Sequence, residues 1–241
     1  STRRMGRTHS NTGRELQNQI EHPPEFMKNK RVIIFDFDGT LVDTVGILFR
    51  VLNDLAGQYH YPPIPEEEIS KLGDKDIKKL ISEHAKIPFW KLWGFTRRLR
   101  ERYRFYTDTI QLFPDINEVL GTLQERGYQI GIVSSNSTDT ISRVLKKFDI
   151  LINFISTSSI FGKSRTLSAL ARKYHFDKNE ILYIGDEVRD VEACRKSGVD
   201  ILAVTWGLNS KTTLQKAGAF TINHPFQILE TLSNEQDFFI K

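Results

Sequence analysis

Cysteine is nearly absent from this chain: Cys194 is the sole one in 241 residues. No intrachain disulfide can form, so stability must come from a packed core, and a reducing, cytoplasmic setting fits. Long apolar runs are absent as well. No stretch approaches the ~20 residues that cross a bilayer as a helix. Excess charge is small, at +4, which favours acidic small molecules slightly and gives no reason to expect nucleic acid. His60, His84, His175 and His224 show none of the spacing of a metal site and read as packing or surface residues. With 39% hydrophobic and 27% charged residues, the chain reads as globular, long enough for one large domain or a core plus an insert.

Residues 1–26 differ from the rest. They are polar, carry Arg3, Arg4, Arg7 and Arg14, and lack apolar periodicity. Without an apolar h-region they do not read as a secretory signal, and Glu15, Glu21 and Glu25 argue against an acid-poor presequence. The expectation is a disordered tail, an expression remnant or an upstream-start extension, with Met27 a natural start for the folded part.

From Leu112 onward, helical and strand patterns alternate. Asp115-Ile116-Asn117-Glu118 has the form of a capping box, followed by a stripe of Ile116, Val119, Leu120 and Leu123 and closed by Gly127. Strands are expected at Tyr128–Val133, Asn153–Ser156, Ile181–Ile184, Ile201–Val204 and, weakly, Phe220–Ile222. Helices fall between them, including Glu187–Ser197 ended by Gly198, and one more follows the last strand. Short apolar strands alternating with amphipathic helices predict an α/β fold: a doubly wound parallel sheet covered on both faces. Residues 45–112 break the alternation. They look helical, with Pro62-Pro63-Ile64-Pro65 as punctuation, and read as an insert. The expected division is a core of 27–44 plus 113–241 and a helical domain of 45–112.

The most informative stretch runs from Val32 to Thr44. An apolar strand ends in Asp36-Phe37-Asp38, followed by Gly39-Thr40. Side chains two apart on an extended segment point the same way. Asp36 and Asp38 therefore crowd one small volume, repel each other, and want a cation or a proton. That suits a nucleophile beside an acid/base. Parallel sheets place ligands at the carboxyl ends of their strands. Ser134 and Asp186 also lie at or just past such ends, so the topology brings them to Asp36. Ser134-Ser135-Asn136 closes a strand in small polar residues, Lys163 opens a helical pattern after Phe161-Gly162, and Gly185-Asp186-Glu187-Val188-Arg189-Asp190 sets two carboxylates one helical turn apart.

Together these residues resemble the four motifs of the haloacid dehalogenase-like (HAD) superfamily, over essentially residues 30–241. The Asp-x-Asp-Gly-Thr motif is carried by Asp36 to Thr40, and the insert matches the C1-type cap position. The resemblance implies a phosphoglycolate phosphatase-like enzyme that hydrolyses a phosphate monoester by way of an aspartyl-phosphate. It makes Asp36 the nucleophile, Asp38 the acid/base, and Lys163 the cation steadying phosphoryl charge. Ser134 and Ser135 bind the phosphoryl group. Mg²⁺ takes the carboxylates of Asp36 and Asp186, whose hard oxygens suit it, and the carbonyl of Asp38. Asp190 orients a metal-bound water or pairs with Lys163. Glu187 stands where many relatives carry a small hydroxyl residue, so it is either an outer metal-shell group or an acid favoured in a first helical turn. Asp43 and Thr44 match the usual motif ending and are expected to act by local hydrogen bonding.

In the insert, Arg97, Arg98, Arg100, Arg102 and Arg104 alternate with Leu92, Phe95, Leu99, Tyr103 and Tyr106 at helical spacing, which reads as a solvated basic face. Lys71-Leu72-Gly73-Asp74-Lys75 resembles the region of a specificity loop. The expected partner is a small phosphorylated metabolite, with neither nucleic acid nor membrane, for a monomer or homodimer. A dehalogenase is disfavoured because Asp38 is present. A sugar phosphomutase uses the same core and stays open. From a different class, a phospho-Asp receiver domain shares the sheet but is smaller and lacks the second carboxylate.

Overall fold

A computed structural model of the chain describes residues 24–65, 67, 85–159 and 162–232. Of the tail expected over residues 1–26, residues 1–23 lie outside the described residues, as do Lys71–Lys75 and His84; its last residues instead run into a 3₁₀ turn at Glu25–Met27, with Phe26 packed against the core. The centre of the molecule is a six-stranded parallel sheet. In chain order its strands are β1 (Val32–Phe35), β4 (Gln129–Ser134), β5 (Phe154–Thr157), β6 (Ile181–Gly185), β7 (Asp200–Val204) and β8 (Phe220–Ile222). They lie in the order β5-β4-β1-β6-β7-β8. Each expected strand is present, shifted by at most a residue at either end.

β1 explains why the strands are apolar throughout. It is flanked on both sides, with Phe35 in register with Ile132 of β4 and with Ile184 of β6. It is also covered on both faces. Ile33 and Phe35 enter one apolar cluster with Val119, Leu123 and Ile141, while Val32 and Ile34 enter another with Leu167, Leu170 and Cys194. Successive side chains point to opposite faces, so only an unbroken apolar run satisfies both layers. The first layer includes α3 (Ile116–Glu125) and α4 (Thr138–Lys147); the second includes α5 (Lys163–Tyr174) and α6 (Val188–Ser197). Two shorter helices, α7 (Lys211–Lys216) and α8 (Phe226–Leu232), complete the carboxyl-terminal part.

Between β1 and α3 the chain leaves the sheet. β2 (Val42–Asp43) and β3 (Gln111–Leu112) pair antiparallel, and the described residues between them are helical or irregular. α1 (Val45–Tyr59) packs against α2 (Leu92–Tyr103), with the Tyr59 and Phe95 rings edge to face at 4.9 Å. The five arginines of the basic run are exposed, as expected for a solvated face. Leu92, expected within the buried stripe, is instead exposed at the first turn of α2. No helix of the described residues is long and apolar enough to cross a membrane.

One capping expectation fails. α3 begins at Ile116, but Asp115 sits at φ 64° and makes no side-chain cap. Side-chain capping normally uses an extended residue at that position; the left-handed backbone turns the carboxylate elsewhere, and it lies 3.4 Å from His224 Nε2.

Candidate active site

Asp36 follows β1 directly, and its backbone N–H still donates to the Ile184 carbonyl at 2.8 Å. The sheet thus fixes its Cα. Phe37 turns into the core, fully buried, and Gly39, at φ 76°, lets the chain fold back so that its N–H reaches the Val42 carbonyl at 3.0 Å. Lys163 is the first residue of α5 and is buried. Its ammonium donates to Asp36 Oδ2 at 2.6 Å and to Asp190 Oδ1 at 2.6 Å. Residues 127 and 27 positions apart in the chain are thereby joined by one cation. Asp186, just past β6, accepts from Thr40 Oγ1 at 3.0 Å and from the Leu208 N–H at 2.8 Å.

Oxygens of Asp36, Asp186 and Asp190 all lie within 4.8 Å of one another, and all three residues are buried. Burial pushes the Asp36 carboxyl up to about 7, against the pull of Lys163 and with a further push from Asp190. Burial, then the neighbouring Glu187 and Asp36 charges, hold Asp186 well above the usual carboxylate range. Asp38 is raised by burial, with hydrogen bonds from Tyr103 and Asn136 opposing. For Lys163, burial acts to lower the ammonium, but Asp190 and Asp36 together outweigh it and hold it above its ordinary value.

These residues fit a hard divalent cation. Five acids (Asp36, Asp38, Asp186, Glu187, Asp190) meet two bases, Lys163 and Arg189, so acidic groups outnumber basic ones, and the raised Asp36, Asp38 and Asp186 carboxyls are the sign of carboxylates that lack enough compensating cation. Carboxylate oxygens have more than one acceptor site each. Asp36 and Asp186 have one hydrogen-bond donor on each oxygen: Phe37 N–H and Lys163 for Asp36, Thr40 and Leu208 for Asp186. Acceptor capacity therefore remains for an oxygen-seeking ion such as Mg²⁺. The tight carboxylate group contains Asp190, which the sequence placed outside the direct ligands; the side chain of Asp38 is not part of it.

Ser134 ends β4, buried, and its Oγ accepts the Asn136 N–H at 3.0 Å; Ser135 is half-buried beside it. The cap of α4 is Ser137, whose side chain accepts from Thr140 N–H. Glu187 is buried at the start of α6, forms an ion pair with Arg189, and donates its backbone N–H to Asp190 Oδ2 at 3.2 Å. It belongs to the turn that orients Asp190 rather than to the tight carboxylate group. Of the histidines among the described residues, none joins that group.

Sequence reasoning missed three contributors. Tyr103 Oη donates to Asp38 Oδ1 at 2.5 Å and Asn136 Nδ2 to Oδ2 at 3.1 Å. The third is the segment after β7. Trp206 Nε1 donates to the Thr40 carbonyl at 3.1 Å, Asn209 Oδ1 accepts the Val188 N–H at 2.9 Å, and Gly207 packs on Asp186 so closely that a Cβ there would lie 2.3 Å from Oδ2. The rule that parallel strands present ligands at their carboxyl ends pointed to this segment as much as to Ser134.

The model of the haloacid dehalogenase-like hydrolase family matches residues 33–204. A phosphoglycolate phosphatase of Synechococcus elongatus is 33% identical over 190 residues, spanning 78% of this chain and 89% of its own length. A phosphoglycolate phosphatase of Haemophilus influenzae is 26% identical, covering 84% of this chain and 97% of that protein. Among solved structures, a haloacid dehalogenase-like family hydrolase from Streptococcus pneumoniae shares the fold with a TM-score of 0.70 at 22% identity, over 84% of this chain and 98% of its own. With its sheet order and four converging segments on record, this chain belongs to the haloacid dehalogenase-like hydrolase family.

Proposed function

We propose that the chain is a phosphatase that hydrolyses a small-molecule phosphate monoester through an aspartyl-phosphate, phosphoglycolate phosphatase-like in kind. The observation that carries this is the buried Lys163 ammonium set 2.6 Å from Asp36 Oδ2 at the carboxyl end of the central strand, with Asp38 two residues on. The likeness to the Synechococcus phosphoglycolate phosphatase supports the ester class.

Asp36 is the nucleophile. The Phe37 N–H at 2.7 Å and Lys163 hold its two oxygens, so its carboxylate meets phosphorus in one orientation. As the Asp36–phosphorus bond forms, the bond to the alcohol breaks, and Asp38 gives its proton to the departing oxygen. Asp38 then takes a proton from water, which attacks phosphorus and releases phosphate, freeing Asp36. Lys163 and the Ser134 hydroxyl, with Ser135 beside it, hold the phosphoryl oxygens. Ser134 Oγ accepts from Asn136, which leaves its own proton to donate. Mg²⁺, when bound by the carboxylates of Asp36 and Asp186 and the carbonyl of Asp38, supplies positive charge that neutralises the phosphoryl oxygens. Asp190 keeps Lys163 in place rather than meeting substrate. The helical domain of residues 45–112 acts as a cap over the core of 27–44 and 113–241, excluding water and reading the leaving group.

Asp36→Asn tests this. The variant should keep the wild-type circular dichroism spectrum and lose phosphatase turnover on every ester; wild-type-like turnover would end the nucleophile assignment. A Mg²⁺-dependent panel of 2-phosphoglycolate, sugar phosphates, nucleoside monophosphates and pyrophosphate identifies the substrate. Accumulation of a bisphosphorylated sugar in that panel points to a phosphomutase, and a long-lived phospho-enzyme without turnover points to a receiver-like switch.

A further inference from the structure

Asp38 is gripped from two sides by residues outside its own strand and turn. Tyr103 Oη donates to Oδ1 at 2.5 Å and Asn136 Nδ2 donates to Oδ2 at 3.1 Å. Asn136 is itself fixed, since its N–H donates to Ser134 Oγ at 3.0 Å and its Oδ1 accepts the Ser137 N–H at 2.8 Å. Tyr103 is the last residue of α2, is 9% exposed, and belongs to the same apolar cluster as Phe37, Val42 and Phe95. Packing alone would be met by a phenylalanine there. A buried hydroxyl donating to a carboxylate on another element is a directional, charge-assisted contact that holds that carboxylate in one orientation.

We propose that Tyr103 is a positioning residue for the proton donor Asp38, so that seating α2 against the core sets the angle of the carboxyl that protonates the departing oxygen. This rests on the acid/base role of Asp38 proposed above. In the step concerned, an Asp36 oxygen bonds to phosphorus while the phosphorus–oxygen bond to the alcohol breaks. The electron pair stays on the departing oxygen, which takes the Asp38 proton. Transfer needs a short, aligned donor and acceptor, and a carboxyl free to rotate is aligned less often. Tyr103 acts through Asp38 and need not touch phosphorus or the alcohol.

The experiment compares kcat/KM for two esters in Tyr103→Phe, Asp38→Asn and the wild type. Para-nitrophenyl phosphate releases a nitrophenolate, which leaves without a proton. The other ester is the alkyl phosphate turned over fastest in the panel above, with 2-phosphoglycolate the first choice; an alkoxide needs the proton. kcat/KM reports steps up to release of the alcohol, so later hydrolysis of the phospho-enzyme does not enter. Tyr103→Phe should lower kcat/KM for the alkyl ester by about tenfold or more and for the nitrophenyl ester by less than about threefold. Activity on the nitrophenyl ester shows that the variant folds. Equal losses on both esters, or no loss on either, overturn the positioning role if Asp38→Asn still shows the selective loss. If Asp38→Asn shows no selectivity, the acid/base reading itself fails and the proposal falls with it.

Discussion

Replacing Gly207 with alanine puts one methyl group against the candidate metal ligand. A Cβ at that position would stand 2.3 Å from Asp186 Oδ2, 2.4 Å from Asp186 Cβ and 2.4 Å from the Gly39 carbonyl oxygen. Ordinary van der Waals contact begins near 3.4 Å, so Asp186 or the 206–208 backbone must retreat by about 1 Å. Neither can move freely. The Asp186 oxygens are tied to Thr40 and Leu208, and the neighbouring Trp206 is tied to the Thr40 carbonyl. Overpacking of this kind costs roughly 1–3 kcal/mol, which lowers the melting temperature by about 2–12 °C in a domain of this size. A misplacement of ~1 Å at a catalytic group costs about 10²-fold in rate. Gly207→Ala should therefore melt a few degrees lower yet lose activity about a hundredfold, a disproportion that separates site damage from loss of folded protein. Gly57→Ala is the control, since nothing lies within 4 Å of a Cβ there; it should be neutral or stabilised by up to about 1 kcal/mol. Differential scanning fluorimetry and steady-state kinetics on a common ester read both quantities. A Gly207→Ala protein with wild-type melting and wild-type kcat/KM would refute the crowding at Asp186.

Lys163→Met leaves the buried Asp36 and Asp190 carboxylates facing each other without their shared cation. Removing one partner from a buried ion pair costs about 3–5 kcal/mol, so a urea titration should show a lower midpoint with unchanged slope, together with loss of turnover. Asp36 is raised to about 7 in the folded chain, above its value in the unfolded one. The native state therefore holds that proton more tightly, and metal-free protein should gain stability as pH falls from about 8 towards about 6. Asp38 and Asp186 are raised in the same direction by burial, so neither opposes the trend; a urea midpoint that instead drops over that interval contradicts the burial argument. EDTA should abolish ester hydrolysis and added Mg²⁺ restore it, with Mg²⁺ also raising the melting temperature at about pH 8, above the raised value of Asp36; full activity after chelation removes the cation from the mechanism.

Local patterns carried much of this. The spacing of Asp36 and Asp38, the strand that precedes them, and the one-turn separation of Asp186 and Asp190 are set by backbone geometry within a few residues. So is the two-faced burial of β1, which only an apolar run can satisfy. Those features were legible because each depends on its neighbours in the chain. The capping box at Asp115 looked equally local and still failed, because a left-handed backbone at φ 64° overrode the side-chain preference.

The amino-acid order by itself determined the parallel α/β sheet and the pair of acids at the end of its central strand, since periodicity and short-range sterics decide both. Only the tertiary structure decided what surrounds them. It set Lys163 between Asp36 and Asp190, Tyr103 against an acid 65 residues away, and Gly207 against Asp186. Contacts of that kind depend on where separate elements land when the core closes, and no local propensity encodes a hydrogen bond to a partner that only packing brings near.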